Sequence, residues 1–173
     1  MHILVTGAAS FIGINLISKA LKKGCRVTGI VRGANQSFKK AEFEKLPVDI
    51  IEMDISNPDS YRYLPKQIDA VVHLAAVRNI KNSLDDMITS NLTGTQLLRS
   101  YAKRSKAKTV IFTSSMSVYG DINVREVSDK TNIVNPETYG TTKYLGEKIL
   151  FNSEKMSYRC LALRLPSVVG KNA

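Results

Sequence analysis

Tyr139 and Lys143 stand four residues apart in the segment YGTTK, and on a helix that spacing puts both side chains on one face. A phenol with an ordinary pKa of about 10 is a poor base at neutral pH, but an adjacent ammonium favours its phenolate. The pair is therefore expected to move a proton, with Tyr139 held low by Lys143. Another hydroxyl, Ser115, lies just past the apolar run TVIFT and opens the stretch SMSVYG. A hydroxyl at the end of a strand is well placed to donate a hydrogen bond to a reacting oxygen.

A second constellation lies at the other end of the chain, in MHILVTGAASFIG. Ile3, Leu4 and Val5 form a short apolar run of the kind that fills a buried parallel strand, and Gly7 breaks it. From Ser10 onward Phe11, Ile12, Leu16, Ile17, Ala20 and Leu21 recur at helical spacing. A strand, a tight turn and a helix follow one another directly. Glycines at such a turn let a pyrophosphate approach the backbone, and the free N–H groups and dipole of the helix start attract its charge. Gly7, Ser10, Phe11, Ile12 and Gly13 are thus candidate contacts for a dinucleotide, whose positive nicotinamide ring would further favour a Tyr139 phenolate. Ser10 stands where a glycine is usual, so either the phosphates sit further from the backbone or the hydroxyl donates to one of them.

The elements that must position these groups alternate along the chain. Strands are expected at Arg26–Val31, 48–53, 70–74, 109–113 and 160–165, with a long helix over 84–103 and another that Pro136 opens as its first residue. A polar loop fills 121–135. Strands alternating with helices predict an α/β fold with a doubly wound parallel sheet, Rossmann-like, in one domain over residues 1–173. The end of the second strand carries Val31 and Arg32 in place of the acidic residue that bonds the adenosine ribose of NAD. An arginine there accommodates the 2′-phosphate of NADP, so NADP is favoured over NAD. Asp54 has two readings, a contact along the adenine together with Ile55 or a cap for the short helix after Asn57 and Pro58. Asn91 likewise either touches the cofactor or closes a buried polar network.

Composition narrows the classes. The 173 residues are 43% hydrophobic, enough for a packed core, and carry a formal charge of +10. The cations, among them Lys22, Lys23, Lys39, Lys40, Lys103, Arg104, Lys106 and Lys108, are scattered toward helix ends, and no aromatic-interleaved basic motif points to nucleic acid. No leader and no apolar run of about 18 residues appears, so a soluble cytoplasmic protein without a membrane partner is expected. Cys25 and Cys160, with only His2 and His73 as companions, make neither a metal site nor a disulfide.

Taken together, TGAASFIG, HLAA, NLTGT, SSMSVYG, YGTTK and RLPSVVG, in this order over essentially the whole chain, resemble the extended short-chain dehydrogenase/reductases, in particular the NAD-dependent epimerase/dehydratase family that modifies nucleotide sugars. The resemblance implies hydride transfer between NAD or NADP and a nucleotide sugar, with Ser115, Tyr139 and Lys143 catalytic and Lys143 also holding the nicotinamide ribose. It implies further that Leu74, Ala75 and Ala76 lie under the cofactor, that Arg78 contacts its phosphates, that Asn91 lies beside it and that Pro166 lies near the nicotinamide. Family dehydratases carry Asp-Glu after the serine or threonine, and here those positions are Met116 and Ser117. Epimerisation or 4-keto reduction is thereby favoured over elimination, and a non-catalytic dinucleotide-binding relative is the alternative. Relatives continue into a smaller substrate-binding lobe, which is expected to be absent here, so that the 173 residues should bind the dinucleotide but turn over nucleotide sugars very poorly, and an open edge is left that could support a homodimer.

Overall fold

The computed structural model describes residues 1–33, 43, 45–78, 83–151 and 157–170. Lys39, Lys40 and residues 171–173 lie outside them. The described chain forms six strands, β1 His2–Thr6, β2 Arg26–Val31, β3 Asp49–Glu52, β4 Ala70–His73, β5 Thr109–Ser115 and β6 Arg159–Leu165. They make one sheet in the order β3-β2-β1-β4-β5-β6, and every pairing is parallel. This is the doubly wound arrangement, with the chain reversing direction across the sheet between β1 and β4. Ligands of such sheets bind outside the carboxyl ends of the strands at that reversal.

Parallel strands covered on both faces read as near-continuous apolar runs, because alternate side chains enter two different cores. Leu4, Ile30, Val71, Val110 and Phe112 face one layer, with Leu98, Tyr101 and Leu150 from its helices. Ile3, Val5, Val27 and Val72 face the other, against Ile17. Those helices are α1 Phe11–Lys22, α3 Gly94–Arg104 and α4 Thr138–Phe151, with a short α2 at Leu84–Ile88. On β6 the two faces fare differently. Cys160 and Ala162 pack on the α3/α4 layer, while Leu161 and Leu163 are 42% and 43% exposed.

Two expected boundaries shift. The helix over 84–103 is continuous in extent but contains a π turn at Thr89–Thr93. Pro136 is not the first residue of α4, which begins at Thr138. Residues Asn135 and Pro136 are instead pressed against Gly120, whose φ is +64° and where an added Cβ would lie 1.9 Å from the Val134 carbonyl oxygen.

Candidate active site

The glycine turn closes β1 onto α1 at the sheet's reversal. Gly7 has φ +65°, and a Cβ there would lie 2.9 Å from the Ala75 nitrogen. At Gly13 a Cβ would lie 2.4 Å from the Ala8 carbonyl oxygen. Neither position accepts a side chain: Gly13 lets α1 close onto the carbonyls of its own turn, and Gly7 presents backbone alone to the crevice. Ser10 is the N-cap of α1, its Oγ accepting from Gly13 N at 3.1 Å. Since the oxygen is the acceptor there, the hydroxyl proton remains to donate toward an anion at the helix start, and no acidic residue stands in the first turn to repel one.

Two adjoining cavities open at the strand ends. One of about 480 Å³ is lined by Gly7, Val31, Arg32, Met53, Ile55 and Ala75, together with Ala76. The other, about 400 Å³, is lined by Phe11, Ile12, Ser115, Tyr139, Lys143 and Pro166. Ser10, Leu74 and Arg78 line both. Arg32 Nη1 donates to Ser90 Oγ at 3.1 Å, which holds the guanidinium at the mouth of the first cavity.

Asp54 does not cap the short helix at Pro58–Tyr63. Asn57 does, its side chain accepting from Asp59 N, while Asp54 Oδ1 accepts from Ser56 N at 2.8 Å and Ser56 Oγ at 2.6 Å. Burial pushes the Asp54 carboxyl up, but those two hydrogen bonds and the nearby Arg32 charge outweigh it and hold the pKa below its ordinary value. The turn this makes leaves Ile55, rather than the carboxylate, against the cavity.

Asn91 forms the buried polar network. Its Oδ1 accepts from Val77 N at 2.8 Å, and its Nδ2 donates to Val77 O at 2.9 Å and Thr142 Oγ1 at 3.0 Å. Both amide protons are used. Thr142 Oγ1 in turn donates to Tyr139 O at 2.8 Å, so Asn91 joins the loop after β4 to the first turn of α4. The network runs on through residues that the motif reading passed over. Thr95 Oγ1 donates to Asn91 O at 2.6 Å and must therefore accept from His73 Nε2 at 3.0 Å. His73 Nδ1 is then an acceptor for Thr6 Oγ1 at 2.7 Å, and Thr6 Oγ1 accepts from Ala75 N at 3.1 Å. This directional chain assigns a single neutral tautomer. Burial, with a smaller contribution from the Lys143 charge, pulls the His73 pKa down to about 3. The only sequence signal for this role is an imidazole placed inside an apolar strand, AVVHL.

Lys143 is 3% exposed. Its Nζ donates to Thr113 O at 2.7 Å and lies 4.7 Å from the Phe112 ring centroid and 5.8 Å from that of Tyr139. Burial brings its pKa down to about 8. The expectation that Lys143 holds Tyr139 low is corrected here, because burial raises the Tyr139 pKa and the opposing charge is that of Arg78. The Arg78 Cζ lies 6.0 Å from the Tyr139 ring centroid, whereas the Lys143 ammonium is turned to a backbone carbonyl. Ser115 caps the turn that follows β5, its Oγ accepting from Ser117 N and donating to Ser117 Oγ, each at 3.1 Å. Met116 and Ser117 line the same cavity. Among the described residues no cluster of His, Cys, Asp and Glu could hold a metal, and no helix is long and apolar enough to cross a membrane.

The family model described as the NAD dependent epimerase/dehydratase family matches residues 3–173. The chain belongs to that family. This epimerase/dehydratase chain is 29% identical to the UDP-glucose 4-epimerase of Caenorhabditis elegans, covering 98% of this chain and 55% of that protein. It is 31% identical to a putative UDP-glucose 4-epimerase of Methanocaldococcus jannaschii, over 86% of this chain and 49% of that one. Among solved structures, UDP-glucuronic acid 4-epimerase from Bacillus cereus in complex with NAD superposes with a TM-score of 0.86 at 32% identity, covering 98% of this chain and 58% of its own. The epimerase/dehydratase chain thus spans about half the length of the curated relatives it matches, and it corresponds to the N-terminal, Rossmann-like part of their fold.

Proposed function

We propose that this chain is the cofactor-binding half of a nucleotide-sugar 4-epimerase or 4-keto reductase, using NADP or NAD and the side chains of Ser115, Tyr139 and Lys143. The observation that carries the reading is the cavity lined by those three residues and Pro166, which shares Ser10, Leu74 and Arg78 with the glycine-turn cavity. The residues present fit a dinucleotide. Gly7 presents bare backbone to the crevice, and Ser10, the α1 N-terminus and Arg78 offer donors and positive charge to its phosphates. Relatives named as UDP-glucose 4-epimerases support a nucleotide sugar as substrate.

A bound nicotinamide supplies the hydride acceptor and donor. The rest belongs to the chain. Ser115 donates a hydrogen bond to the sugar oxygen at the reacting carbon, and Tyr139 Oη takes or returns that oxygen's proton. Arg78 favours the phenolate, and Lys143, turning its ammonium from Thr113 O to the ribose hydroxyls, fixes the cofactor's reacting end. Met116 and Ser117 offer no carboxylate for eliminating water, which favours epimerisation or keto reduction over dehydration. Arg32, held by Ser90 at the end of β2, would supply the positive charge that an adenosine 2′-phosphate calls for. Leu161 and Leu163 on the edge strand β6 favour association into a homodimer.

Assay of the chain with either cofactor and a panel of UDP-sugars tests the proposal. Tyr139→Phe should lower turnover by at least about 100-fold with cofactor affinity unchanged, since general acid–base catalysis contributes about 10²–10⁴-fold. Unaltered turnover would refute a catalytic Tyr139. Calorimetric titration should give roughly tenfold tighter binding of NADP than of NAD, abolished by Arg32→Ala, because a charge-assisted bond is worth about 1.5–3 kcal/mol. Equal affinities in the unaltered chain would overturn the preference.

A further inference from the structure

One turn beyond Lys143 on α4, Glu147 is 6% exposed. Arg164 of β6 grips it with both prongs, Nε donating to Oε1 at 2.9 Å and Nη2 to Oε2 at 2.8 Å. Ser114 of β5 donates its hydroxyl to the same Oε1. Behind the ion pair, the Arg164 Cζ lies 4.7 Å from the Tyr119 ring centroid, and Tyr119 Oη donates to Ser128 O at 2.7 Å. A single carboxylate thereby joins α4 to the ends of β5 and β6, and the guanidinium joins both to the loop after β5. Neither Glu147 nor Arg164 lines either cavity.

The neighbours of this cluster in the chain are the site. Ser114 precedes Ser115, Arg164 stands two residues before Pro166, and Glu147 lies four after Lys143. Elsewhere α4 packs Leu150 into the core, accepts from Asn91 at Thr142 and reaches the Thr113 carbonyl through Lys143, and at two glycines it comes close to its neighbours. An added Cβ at Gly140 would lie 2.0 Å from the Ser117 carbonyl oxygen, and one at Gly146 would lie 2.9 Å from the Phe112 ring. The two glycines allow close approach without a side-chain knob against sliding or rotation, Leu150 makes a non-directional contact, and Thr142 and Lys143 each make a single hydrogen bond off the helix. A planar, bidentate ion pair resists both motions, because it is satisfied in one orientation only. As a source of stability such a pair is weak, since apolar replacements of similar volume are often neutral or stabilising.

We propose that Glu147, Arg164 and Ser114 form a positioning device that sets the helix carrying Tyr139 and Lys143 in register with the strand end carrying Ser115. The proposal rests on the Ser115–Tyr139–Lys143 reading above for its catalytic meaning. Glu147 and Arg164 are positioning residues, since they act through α4 and touch no reacting atom.

The test uses the whole chain and the double variant Glu147→Leu with Arg164→Met, which keeps the pair's net charge. Its thermal midpoint should stay within a few degrees of the parent. Amide exchange over residues 139–147 should quicken at least tenfold, and the Lys143 titration, followed by NMR of labelled lysine, should rise from about 8 toward the ordinary 10.5 as water reaches the loosened helix. Turnover should fall at least tenfold with cofactor affinity retained, since misplacement by about 1 Å can cost on the order of a hundredfold. Arg164→Lys, which keeps the charge but not the fork, should give intermediate values. If the double variant does not fold, Arg164→Lys carries the test, and an unmoved Lys143 there overturns the proposal. Parent-like exchange and titration in the double variant overturn it too. So does an equal Lys143 shift in Leu98→Ala, which loosens the core away from the cluster. If Tyr139→Phe leaves turnover intact, the functional reading fails, while exchange and titration still decide whether the cluster positions α4.

Discussion

The buried imidazole at the end of β4 makes stability depend on pH in a calculable way. In the folded chain His73 titrates at about 3, and its ordinary value is 6.5. Between those values the unfolded chain binds a proton that the folded one does not, so stability rises with pH across the window and falls as the solution is acidified. Above 6.5 the group is neutral in both states and contributes no slope. At 1.36 kcal/mol per unit the full difference is about 5 kcal/mol, and acidification from pH 7 to pH 4 removes about 3 of it. The Thr6 and Thr95 hydroxyls explain why relief is denied. Thr6 must donate to Nδ1, so protonating that nitrogen sets two donors against each other in a fully buried site. Urea unfolding at a series of pH values, on the parent and on His73→Gln, isolates the effect, because carboxylates and His2 titrate in both. The variant should be less stable at pH 7, and the gap should close by about 3 kcal/mol on going to pH 4. Parallel stability curves would refute the assigned tautomer and its cost.

Lys143→Met should raise stability by up to about 3 kcal/mol near pH 7, since burial lowers the lysine to about 8 from 10.5 and that penalty is fully present below pH 8 and relieved as pH rises to 10.5. Thermal unfolding at pH 7 and pH 10 measures it, and an unchanged or lower midpoint at pH 7 would count against the buried ammonium as a cost. Gly140→Ala should destabilise by about 1–3 kcal/mol, as its Cβ would meet the Ser117 carbonyl oxygen at 2.0 Å. The same displacement should lower turnover more than cofactor affinity, and full activity would show that the helix tolerates the shift.

The strands were legible because each apolar run enters two cores at once, which alternating or helical patterns do not. The turn between β1 and α1 was legible because Gly7 and Gly13 stand where a side chain would strike backbone. Tyr139, Lys143, Ser115 and Pro166 could be named from motif order, and the fold does bring them to one cavity. What the chain hides are choices among partners made in three dimensions. Asp54 and Asn57 are both good caps by type, and only the turn through Ser56 decides which one the helix receives. Asn91 looks like a ligand until its neighbours across 14 and 51 residues, Val77 and Thr142, consume its amide. The lowering of Tyr139 by Lys143 followed from helix spacing alone, and it failed because burial acts on both groups and the ammonium finds the Thr113 carbonyl first. The π turn at Thr89–Thr93 has no signature in periodicity, since its flanking helices keep nearly the same apolar face. The Glu147–Arg164 pair joins residues 17 apart on different elements, which no local pattern announces.

The strand order carries a consequence for synthesis. Each strand, as the ribosome delivers it, finds its neighbour already made. β2 adds to β1 and β3 to β2, then β4 adds to the free side of β1, β5 to β4 and β6 to β5. No strand must be inserted between two that have already paired. The edge that waits longest is the side of β1 that faces β4, from residue 6 until residue 73 is out. At about 5–20 residues per second that interval is roughly 3 to 13 seconds. A central strand buried at four of its five positions is therefore also the one left half-paired longest in the nascent chain, and slowed translation between residues 31 and 70 should make early misassociation worse in proportion.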